Sequence, residues 1–487
     1  MIEISNVSFQ YKDCERENAL KNINLTIHSG EVVLLCGESG CGKSTITRLI
    51  NGLIPGFYEG DLTGNVKINN QEVNTIPICD TAKQVGSVFQ NPRTQFFNVD
   101  TYGELIFGCE NLGWDIEKIE KKQKEIISKF KIENLMGRSI FSLSGGEKQK
   151  LACAAVSIME PDIMVLDEPS SSLDFKAIDE LKKIIADWKQ QGKTIVVAEH
   201  RIYYLRDLLD RIIYMKNGQI EKELTPNEFM KLGNELHTKM GLRSWNLNTV
   251  LPQQEHMFLE ETAELKNFSF TYKKSATKTL DIEELKIPAK GIIAIIGHNG
   301  AGKSTFARCL CGLEKRCKGI LNIGDKQLDT KQRLKAGYMV MQEVGHQLFT
   351  ESVSEELLIS MENQDEQKAD EILSQLDLLC FKEAHPLALS GGQQQRVAIA
   401  SAVASNRSFI VLDEPTSGLD LRHMNEVAEI LDMLNKAGKL IFIITHDYEL
   451  ICKCCTHIIQ LEQGTVKESY PLNTQGLQKT REFYKIS

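Results

Sequence analysis

The sequence lacks any apolar run long enough to cross a membrane as a helix. Its longest runs, such as residues 440–444, fall far short of the roughly 20 residues that a spanning helix needs. Its start also lacks a basic segment followed by an apolar one, so no signal peptide is evident. We therefore expect a chain that works in the cytosol or associates peripherally with a membrane.

An excess of positive charge is missing as well. The formal net charge is −9 and the pI is about 5.7, whereas nucleic-acid-binding proteins usually carry a basic excess or a basic stripe. No nucleic acid is therefore expected as the main partner. With 42% hydrophobic and 25% charged residues, the 487-residue chain has the composition of a soluble globular protein with more than one domain.

Cysteine is not scarce, but its context indicates reduced thiols. The 13 cysteines occur without an export signal, which is typical of intracellular proteins. One cluster, Cys452, Cys454, Cys455 and His457, could in principle hold a metal ion. We favour a set of small buried side chains instead, because the internal repeat aligns this segment with a helix that runs into a strand.

Two glycine-rich loops occur in the chain, each after an apolar run and before an amphipathic stretch. The first loop comprises Gly37, Glu38, Ser39, Gly40, Cys41, Gly42, Lys43, Ser44 and Thr45. The second comprises Gly297, His298, Asn299, Gly300, Ala301, Gly302, Lys303, Ser304 and Thr305. The glycines let backbone N–H groups close around phosphate oxygens, the lysine adds positive charge, and the serine hydroxyl can ligate Mg²⁺. The pattern predicts two nucleotide sites.

Landmarks recur at a nearly fixed offset, which indicates two copies of one domain. The offset is 260 residues between Lys43 and Lys303 and 252 between Gln90 and Gln342. It is 246 for three later pairs: Ser144 and Ser390, Glu168 and Glu414, and His200 and His446. We predict one domain over residues 1–241, a linker over 242–261 and a second domain over 262–487. In each copy, strand patterns alternate with helical ones, which predicts an α/β fold with a parallel sheet covered on both faces.

Pairs of acids end a buried strand in each copy. Asp167 and Glu168 follow one apolar run, and Asp413 and Glu414 follow the other. The aspartate can help to hold Mg²⁺, and the glutamate can orient and polarise an attacking water. His200 and His446 follow the next apolar strand of each copy, where a ring N–H can donate to the outermost phosphate.

A further segment, Leu-Ser-Gly-Gly, opens a helix in each copy. Its serine, glycine backbone and helix N-terminus suit an anion, but each segment lies roughly a hundred residues from the lysine of its own loop. The residues alone predict a second phosphate-binding surface whose partner stays open. The surface comprises Ser144, Gly145 and Gly146 in the first copy and Ser390, Gly391 and Gly392 in the second.

Taken in order, these motifs resemble the ATP-binding cassette (ABC) ATPase, over nearly the whole chain and twice. The resemblance implies tandem P-loop domains, each with a RecA-like core, an antiparallel β part and a helical subdomain, and ATP and Mg²⁺ as cofactors. It implies that Glu168, Glu414, His200, His446, Gln90 and Gln342 are catalytic. It assigns Mg²⁺ to Ser44, Gln90 and Asp167 and to Ser304, Gln342 and Asp413. Tyr11 and Tyr272 match the aromatic residue that stacks on adenine.

The resemblance also implies that the two domains pair head to tail within the chain, with a higher oligomer left open. Lys43 would then share a nucleotide with Ser390, and Lys303 with Ser144. Residues 171–174 and 417–420 match the loop that the family places at this seam. Because the acids and histidines are intact in both copies, we predict two hydrolytically competent sites.

The glutamine regions, residues 88–97 and 340–349, narrow the resemblance. Each has a second glutamine (Gln95 or Gln347) and two apolar residues before an acidic amphipathic helix. This resembles the ATPases of energy-coupling factor (ECF) importers, which bind a transmembrane T component here and work with a substrate-binding S component. It implies a peripheral protein on the cytoplasmic face of a bacterial-type cell membrane, with uptake of a vitamin or a transition-metal ion. The candidates for the T-component groove are Phe96, Phe97, Leu348 and Phe349.

Other two-cassette proteins are the alternatives. The fused ATPases of sugar importers usually carry a degenerate second loop, whereas Gly297 to Thr305 is intact here. The ABC-F translation factors are soluble and usually join their cassettes with a long, charged linker, whereas the linker here is neither long nor basic. The transported substrate is not encoded in this chain, because a different subunit selects it.

Overall fold

The computed structural model describes residues 1–12, 19–252, 261–273 and 277–486. The chain divides into two compact units, Met1–Trp245 and Asn246–Ser487. Residues 253–260 of the predicted linker lie outside the described residues. In the part of the chain that the structure describes, no helix is both long and apolar enough to span a bilayer.

The first unit combines strands and helices in alternation through its central part. Its strands are β1 (Ile2–Tyr11), β2 (Leu20–Ile27), β3 (Val32–Cys36), β4 (Gly60–Ile68), β5 (Gln71–Glu72), β6 (Val85–Val88), β7 (Ile163–Asp167), β8 (Thr194–Ala198), β9 (Arg211–Lys216) and β10 (Gln219–Leu224). Its helices are α1 (Lys43–Ile50), α2 (Leu53–Gly56), α3 (Ile78–Gln84), α4 (Thr101–Asn111), α5 (Ile116–Phe130), α6 (Gly145–Ser157), α7 (Phe175–Gln190), α8 (Pro226–Lys231) and α9 (Gly233–Lys239).

The main sheet of this unit has the strand order β10-β9-β3-β8-β7-β6, and β3 runs parallel to both of its neighbours. Alternate residues of β3 enter different cores. Val32 and Leu34 lie in the core on the face of the sheet that α6 and α7 cover. Val33 and Leu35 lie in the core on the opposite face, with α1, β1 and β2. A strand buried on both faces must be apolar at every position, which explains the continuous run of Val and Leu.

Two smaller layers complete the first unit. An antiparallel sheet with the order β2-β1-β4-β5 contributes Ile2, Ile4 and Phe9 to the core that also holds α1. Helices α4, α5 and α6 pack on one another and form a helical subdomain. The amphipathic α5 buries Ile119, Ile126 and Phe130 and exposes its charged face.

The second unit repeats this architecture. Its strands are β11 (Thr262–Phe270), β12 (Leu280–Pro288), β13 (Gly291–Ile296), β14 (Lys318–Ile323), β15 (Lys326–Leu328), β16 (Gly337–Val340), β17 (Phe409–Asp413), β18 (Leu440–Ile444), β19 (His457–Glu462) and β20 (Thr465–Pro471). Its helices are α10 (Lys303–Leu310), α11 (Thr330–Ala336), α12 (Val353–Ser360), α13 (Glu366–Gln375), α14 (Gly391–Ala404), α15 (Leu421–Lys436), α16 (Tyr448–Cys454) and α17 (Thr474–Tyr484).

The sheets of the second unit have the orders β12-β11-β14-β15 and β16-β17-β18-β13-β19-β20. Read from its other end, β20-β19-β13-β18-β17-β16, the second order matches that of the main sheet of the first unit. Strand β13 takes the place of β3 and runs parallel to β18 and β19. The predicted α/β class, with a parallel core, an antiparallel β part and a helical subdomain, is therefore confirmed in each unit.

Candidate functional site

The predicted site residues of the first unit follow the carboxyl ends of neighbouring parallel strands. Strand β3 leads into the glycine-rich loop and β6 into Gln90. Strand β7 ends at Asp167, and Glu199 and His200 follow β8. Ligands of open α/β sheets bind at this edge, because the loops after adjacent strands converge there.

Two glycines of the first loop, Gly37 and Gly42, occupy positions that a larger residue could not fill. Gly37 and Gly42 have φ angles of 146° and 105°. A Cβ atom on Gly37 would lie 2.3 Å from the Met215 carbonyl oxygen, and one on Gly42 would lie 2.7 Å from Leu20 Cδ2. The loop can therefore curl tightly enough to direct backbone N–H groups inward only because these residues lack side chains.

Lys43 lies inside the loop that precedes it. Its side chain is buried, and Nζ donates to the carbonyl oxygens of Gly37 and Glu38, both at 3.0 Å. Lys303 makes the equivalent contacts with Gly297 at 2.7 Å and His298 at 3.2 Å. Each ammonium group is thus held at the mouth of a loop shaped for phosphate.

Ser44 and Asp167 meet at the strand edge, as the sequence predicts for a shared Mg²⁺ site. The Ser44 hydroxyl donates to Asp167 Oδ1 at 2.9 Å. Burial, assisted by the negative charge of Glu168, raises the pKa of Asp167 to about 6, against the hydrogen bond from Ser44. Ser304 likewise hydrogen-bonds to Asp413, whose pKa is raised by burial. Hydroxyl and carboxylate oxygens of this kind are ligands that Mg²⁺ prefers.

Glu168 has a strained backbone. Its φ angle is 44°, and that of Glu414 is 50°. Both glutamates therefore have the left-handed backbone conformation that residues other than glycine rarely adopt. The N–H of Glu168 donates to the Ala198 carbonyl at 2.8 Å, and that of Glu414 to the Ile444 carbonyl at 2.9 Å. Strained residues of this kind cluster at functional sites, where the surrounding structure holds them in place.

The glutamate and the histidine of each unit are in contact. His200 Nε2 lies 3.3 Å from Glu168 Oε1, and His446 Nε2 lies 3.6 Å from Glu414 Oε1. In the second unit the backbone N–H of His446 also donates to Glu414 Oε2 at 3.3 Å. The strand-end positions inferred from sequence therefore bring these two side chains together in both units.

The two glutamines differ between the units. Gln90 Nε2 donates to Glu168 Oε2 at 2.6 Å. Gln342 is exposed, and within the described residues of the second unit no hydrogen bond joins it to Glu414. The glutamine loops therefore do not follow the symmetry of the strands beneath them.

The predicted adenine-stacking tyrosines are anchored to the helix behind each glycine-rich loop. The Tyr11 hydroxyl accepts from Arg48 Nη1 at 2.8 Å and lies 3.3 Å from Thr45 Oγ1. The Tyr272 hydroxyl accepts from Arg308 Nη2 at 2.8 Å and lies 3.1 Å from Thr305 Oγ1. Each ring is thus fixed beside its own loop, as an adenine-contacting residue requires.

The Leu-Ser-Gly-Gly segments cap the helices that follow them. Glu147 N–H donates to Ser144 Oγ at 3.3 Å, and the Ser144 N–H donates back to Glu147 Oε2 at 2.7 Å. In the second unit Ser390 donates to Gln393 Oε1 through both its N–H and its hydroxyl, each at 2.9 Å. Gly145, Gly146, Gly391 and Gly392 therefore begin helices α6 and α14.

A buried carboxylate beside each histidine is missing from the sequence prediction. Glu199 immediately precedes His200, and Asp447 immediately follows His446. Burial raises the pKa of Glu199 to about 7, while its hydrogen bonds and the charge of Arg201 act in the opposite direction. In the sequence, these carboxylates are indicated only by a difference between the copies: Glu199 corresponds to Thr445, and Arg201 corresponds to Asp447.

The loop after each glutamine has a fixed backbone and an exposed phenylalanine. Glu104 Oε2 accepts from the N–H groups of Phe97 at 3.0 Å and Asn98 at 2.8 Å. Glu356 Oε2 accepts equally from those of Phe349 and Thr350, both at 3.1 Å. The offset between these glutamates equals that between Gln90 and Gln342, which is the signal that could have identified them.

The cysteine cluster of the second unit is a set of buried side chains. Cys452, Cys454 and Cys455 are all buried, and burial raises the pKa of Cys452 and of Cys455. In the described ranges, which omit 13–18, 253–260, 274–276 and 487, no group of three His, Cys, Asp or Glu side chains could hold a metal ion.

Fold and loop together define each unit as a P-loop nucleoside triphosphatase. The family model described as ABC transporter matches residues 20–171 and 280–417. A "Putative ABC transporter ATP-binding protein" of Treponema denticola is 44% identical over 471 residues, which cover 96% of both chains. Another protein with that description, from Clostridium perfringens, is 33% identical over 515 residues, covering 95% of this chain and 89% of the relative.

A solved structure of archaeal ABCE1, in a model of ribosome-bound Pelota and ABCE1, matches with a TM-score of 0.68 at 21% identity and covers 98% of this chain and 80% of that one. At this identity the likeness shows the fold alone. The family match and the near-complete relatives decide the assignment: the chain belongs to the ATP-binding proteins of ABC transporters, with two cassettes in one polypeptide. It is an ATPase.

Proposed function

We propose that this protein is the energy-coupling ATPase of an ECF-type importer and binds a transmembrane T component through the loops that follow Gln90 and Gln342. The observation that carries the proposal is the pair of phenylalanines on these loops. Phe97 and Phe349 are 76% and 72% exposed, although buried glutamates fix their backbones. Exposed aromatic side chains on a rigid backbone are typical of protein-binding surfaces.

The surroundings of Phe349 support a groove for an apolar segment of the partner. A cavity of about 410 Å³ is lined by Phe349 together with Met339, Met341, Ile359 and other residues of the second unit. Of the other groove candidates, Leu348 is buried and Phe96 packs against the core of its unit. Phe97 and Phe349 are therefore the candidates that remain available to a partner.

The site geometry supports the catalytic roles that the resemblance implies. Glu168 and Glu414 would orient and polarise the attacking water, and His200 and His446 would donate to the terminal phosphate. Lys43 and Lys303 would neutralise phosphate charge. The oxygen donors of Ser44, Asp167 and Gln90, and of Ser304, Asp413 and Gln342, fit Mg²⁺, which when bound supplies further neutralisation of the triphosphate.

ATP binding and hydrolysis would drive the partner between two states. Gln90 contacts Glu168 on one side and continues into the Phe97 loop on the other. A change at the terminal phosphate would therefore reach the partner surface through a short covalent and hydrogen-bonded connection. The substrate would be a vitamin or a transition-metal ion bound by an S component, and the protein would work on the cytoplasmic face of the cell membrane.

Copurification tests the proposal. Phe97→Asp combined with Phe349→Asp should abolish recovery of a T component from membranes, because a carboxylate cannot enter an apolar groove without a large desolvation cost. Binding of ATP to the purified variant should be unchanged. The matched control is Phe57→Asp, since Phe57 is 74% exposed but lies outside the two loops. Undiminished recovery of the T component with the double variant would contradict the proposal.

A further inference from the structure

Glu199 is a buried carboxylate that joins two catalytic loops of the first unit. It is 2% exposed. Its Oε1 accepts from the Ser170 hydroxyl at 2.9 Å and from the N–H groups of His200 and Arg201 at 3.1 and 3.0 Å. Its Oε2 accepts from the Ser170 N–H at 3.4 Å and from the Tyr204 hydroxyl at 3.3 Å. One side chain thus holds the loop after Glu168 against the segment of His200.

The second unit makes the same connection from the other side of its histidine. Thr416 corresponds to Ser170, and its hydroxyl donates to Asp447 Oδ2 at 2.8 Å. Asp447 occupies the position of Arg201, while the position of Glu199 is taken by Thr445, whose hydroxyl accepts from the Asp447 N–H at 3.0 Å. The carboxylate has changed position, but the hydroxyl-to-carboxylate contact between the two loops is present in both units.

We infer that Glu199 is a positioning residue of the first ATPase site, and that it does there what Asp447 does in the second. Ser170 is two residues after Glu168, whose left-handed backbone stays strained only if its surroundings hold it. By fixing Ser170 to the backbone of His200 and Arg201, Glu199 keeps the Glu168 and His200 side chains within 3.3 Å of each other. The inference rests on the proposed roles of Glu168 and His200.

This role separates turnover from nucleotide binding. The contacts of Glu199 involve the loops after β7 and β8, whereas Lys43 is held by Gly37 and Glu38 after β3. Loss of the carboxylate should therefore misplace the groups that act on the attacking water without opening the phosphate loop. If Glu199 served only as an acceptor for buried donors, the second unit would not need a carboxylate, Asp447, that makes the same hydroxyl contact from the other side of His446.

The test gives the first unit, in the full chain, the residues that the second unit has at these positions, with Thr in place of Glu199 and Asp in place of Arg201. Vanadate-dependent photolabelling with 8-azido-ATP, mapped to residues 1–245 or 246–487, reports turnover in each unit separately, and labelling without vanadate reports binding. Glu199→Thr should lower vanadate-dependent labelling of the first unit by roughly tenfold or more while binding stays within about twofold. Glu199→Thr with Arg201→Asp, which copies the second unit, should restore labelling to within about threefold of the wild type.

Two results would overturn the inference. One is wild-type turnover in Glu199→Thr. The other is a double variant that melts at the wild-type temperature and yet traps no more nucleotide than Glu199→Thr. If Glu199→Thr does not fold, Glu199→Gln and the double variant take its place, with the same expected loss and rescue. The reciprocal exchange tests the second unit in the same way. Asp447→Arg should lower its vanadate-dependent labelling roughly tenfold, and Thr445→Glu with Asp447→Arg should restore it.

Glu168→Gln and His200→Ala distinguish this inference from the proposed function. If either variant traps nucleotide normally in the first unit, the proposed catalytic roles fail, and the inference about Glu199 fails with them. If both abolish trapping and Glu199→Thr does not, the catalytic roles stand and the inference about Glu199 alone is wrong.

Discussion

At the scale of single residues, Glu168 and Glu414 share the contact with a histidine and the left-handed backbone. Glu168→Gln and Glu414→Gln, made singly, should each lower steady-state ATPase activity at least about tenfold at the affected site, because an amide cannot polarise the attacking water. Vanadate-dependent photolabelling measures turnover at the affected site, phosphate release measures the sum of both sites, and ATP binding is the control. A variant that keeps full activity would contradict two competent sites.

Glu199 also predicts a dependence of stability on pH. Its folded pKa of about 7 is raised from an ordinary value of 4.5, so the stability that it contributes below about pH 4.5 is lost as the pH rises through 7. The loss is on the order of 3 kcal/mol. The neighbours that bear on this ionisation are Arg201, Glu168 and Ser170.

Glu199→Gln does not ionise, so its melting temperature should rise relative to the wild type between pH 5 and pH 8. Thermal melts of both proteins at these two pH values measure the difference. A constant difference would show that Glu199 keeps an ordinary pKa in the folded protein. If the difference grows as expected, the variant gains stability relative to the wild type as the pH rises while it loses activity, a combination typical of functional residues.

The residues of the glycine-rich loops could be predicted from sequence because the loop is a local structure. Its glycines, lysine and serine lie within nine consecutive positions. Glu199 could not be predicted in this way, since its role depends on Ser170, 29 residues away, reaching it in the folded chain. The contact of Gln90 with Glu168, which Gln342 does not share, is equally invisible in a pattern that matches both copies.

At the scale of elements, helix α4 orients the Phe97 loop. Glu104→Ala would leave the N–H groups of Phe97 and Asn98 without their acceptor, at a cost of about 1–3 kcal/mol. We expect weaker copurification with a T component although Phe97 itself is retained. Glu110→Ala on the exposed part of the same helix is the control. Unchanged copurification would show that the loop does not need this support.

The strands were more predictable than the loops that they position. The apolar runs at 32–35, 163–166 and 194–198 correspond to β3, β7 and β8, because a strand buried on both faces needs apolar residues throughout. The boundaries differ by a residue, as at Asp167, which still belongs to β7. The Phe96 side chain was harder to place, since alternation along a short loop does not reveal which side faces the core.

At the scale of the whole molecule, the family resemblance predicts that each nucleotide is shared between the loop of one cassette and the signature of the other. Lys43→Ala with Ser390→Ala would then damage one site twice and leave the other intact. Lys43→Ala with Ser144→Ala would damage both. Photolabelling with 8-azido-ATP should retain roughly one site in the first variant and little in the second. Equal labelling of the two variants would contradict the pairing.

The repeat itself could be predicted because its landmarks keep a constant offset after Ser144. If the two cassettes pair within the chain, as the resemblance implies, their fusion holds them at a high effective concentration, and pairing would not depend on the amount of protein in the cell. Differences between the copies, such as Thr445 at the position of Glu199 and Asp447 at that of Arg201, could then persist because each cassette would meet the same partner.

The left-handed backbone at Glu168 and Glu414 has a consequence for protein engineering. A non-glycine residue in this conformation costs about 1–2 kcal/mol. Glycine or asparagine at either position would relieve that cost, and a library selected for thermal stability alone should therefore enrich them. The most stable members of such a library would have lost the two carboxylates, so a selection scheme for this protein must screen turnover alongside heat resistance.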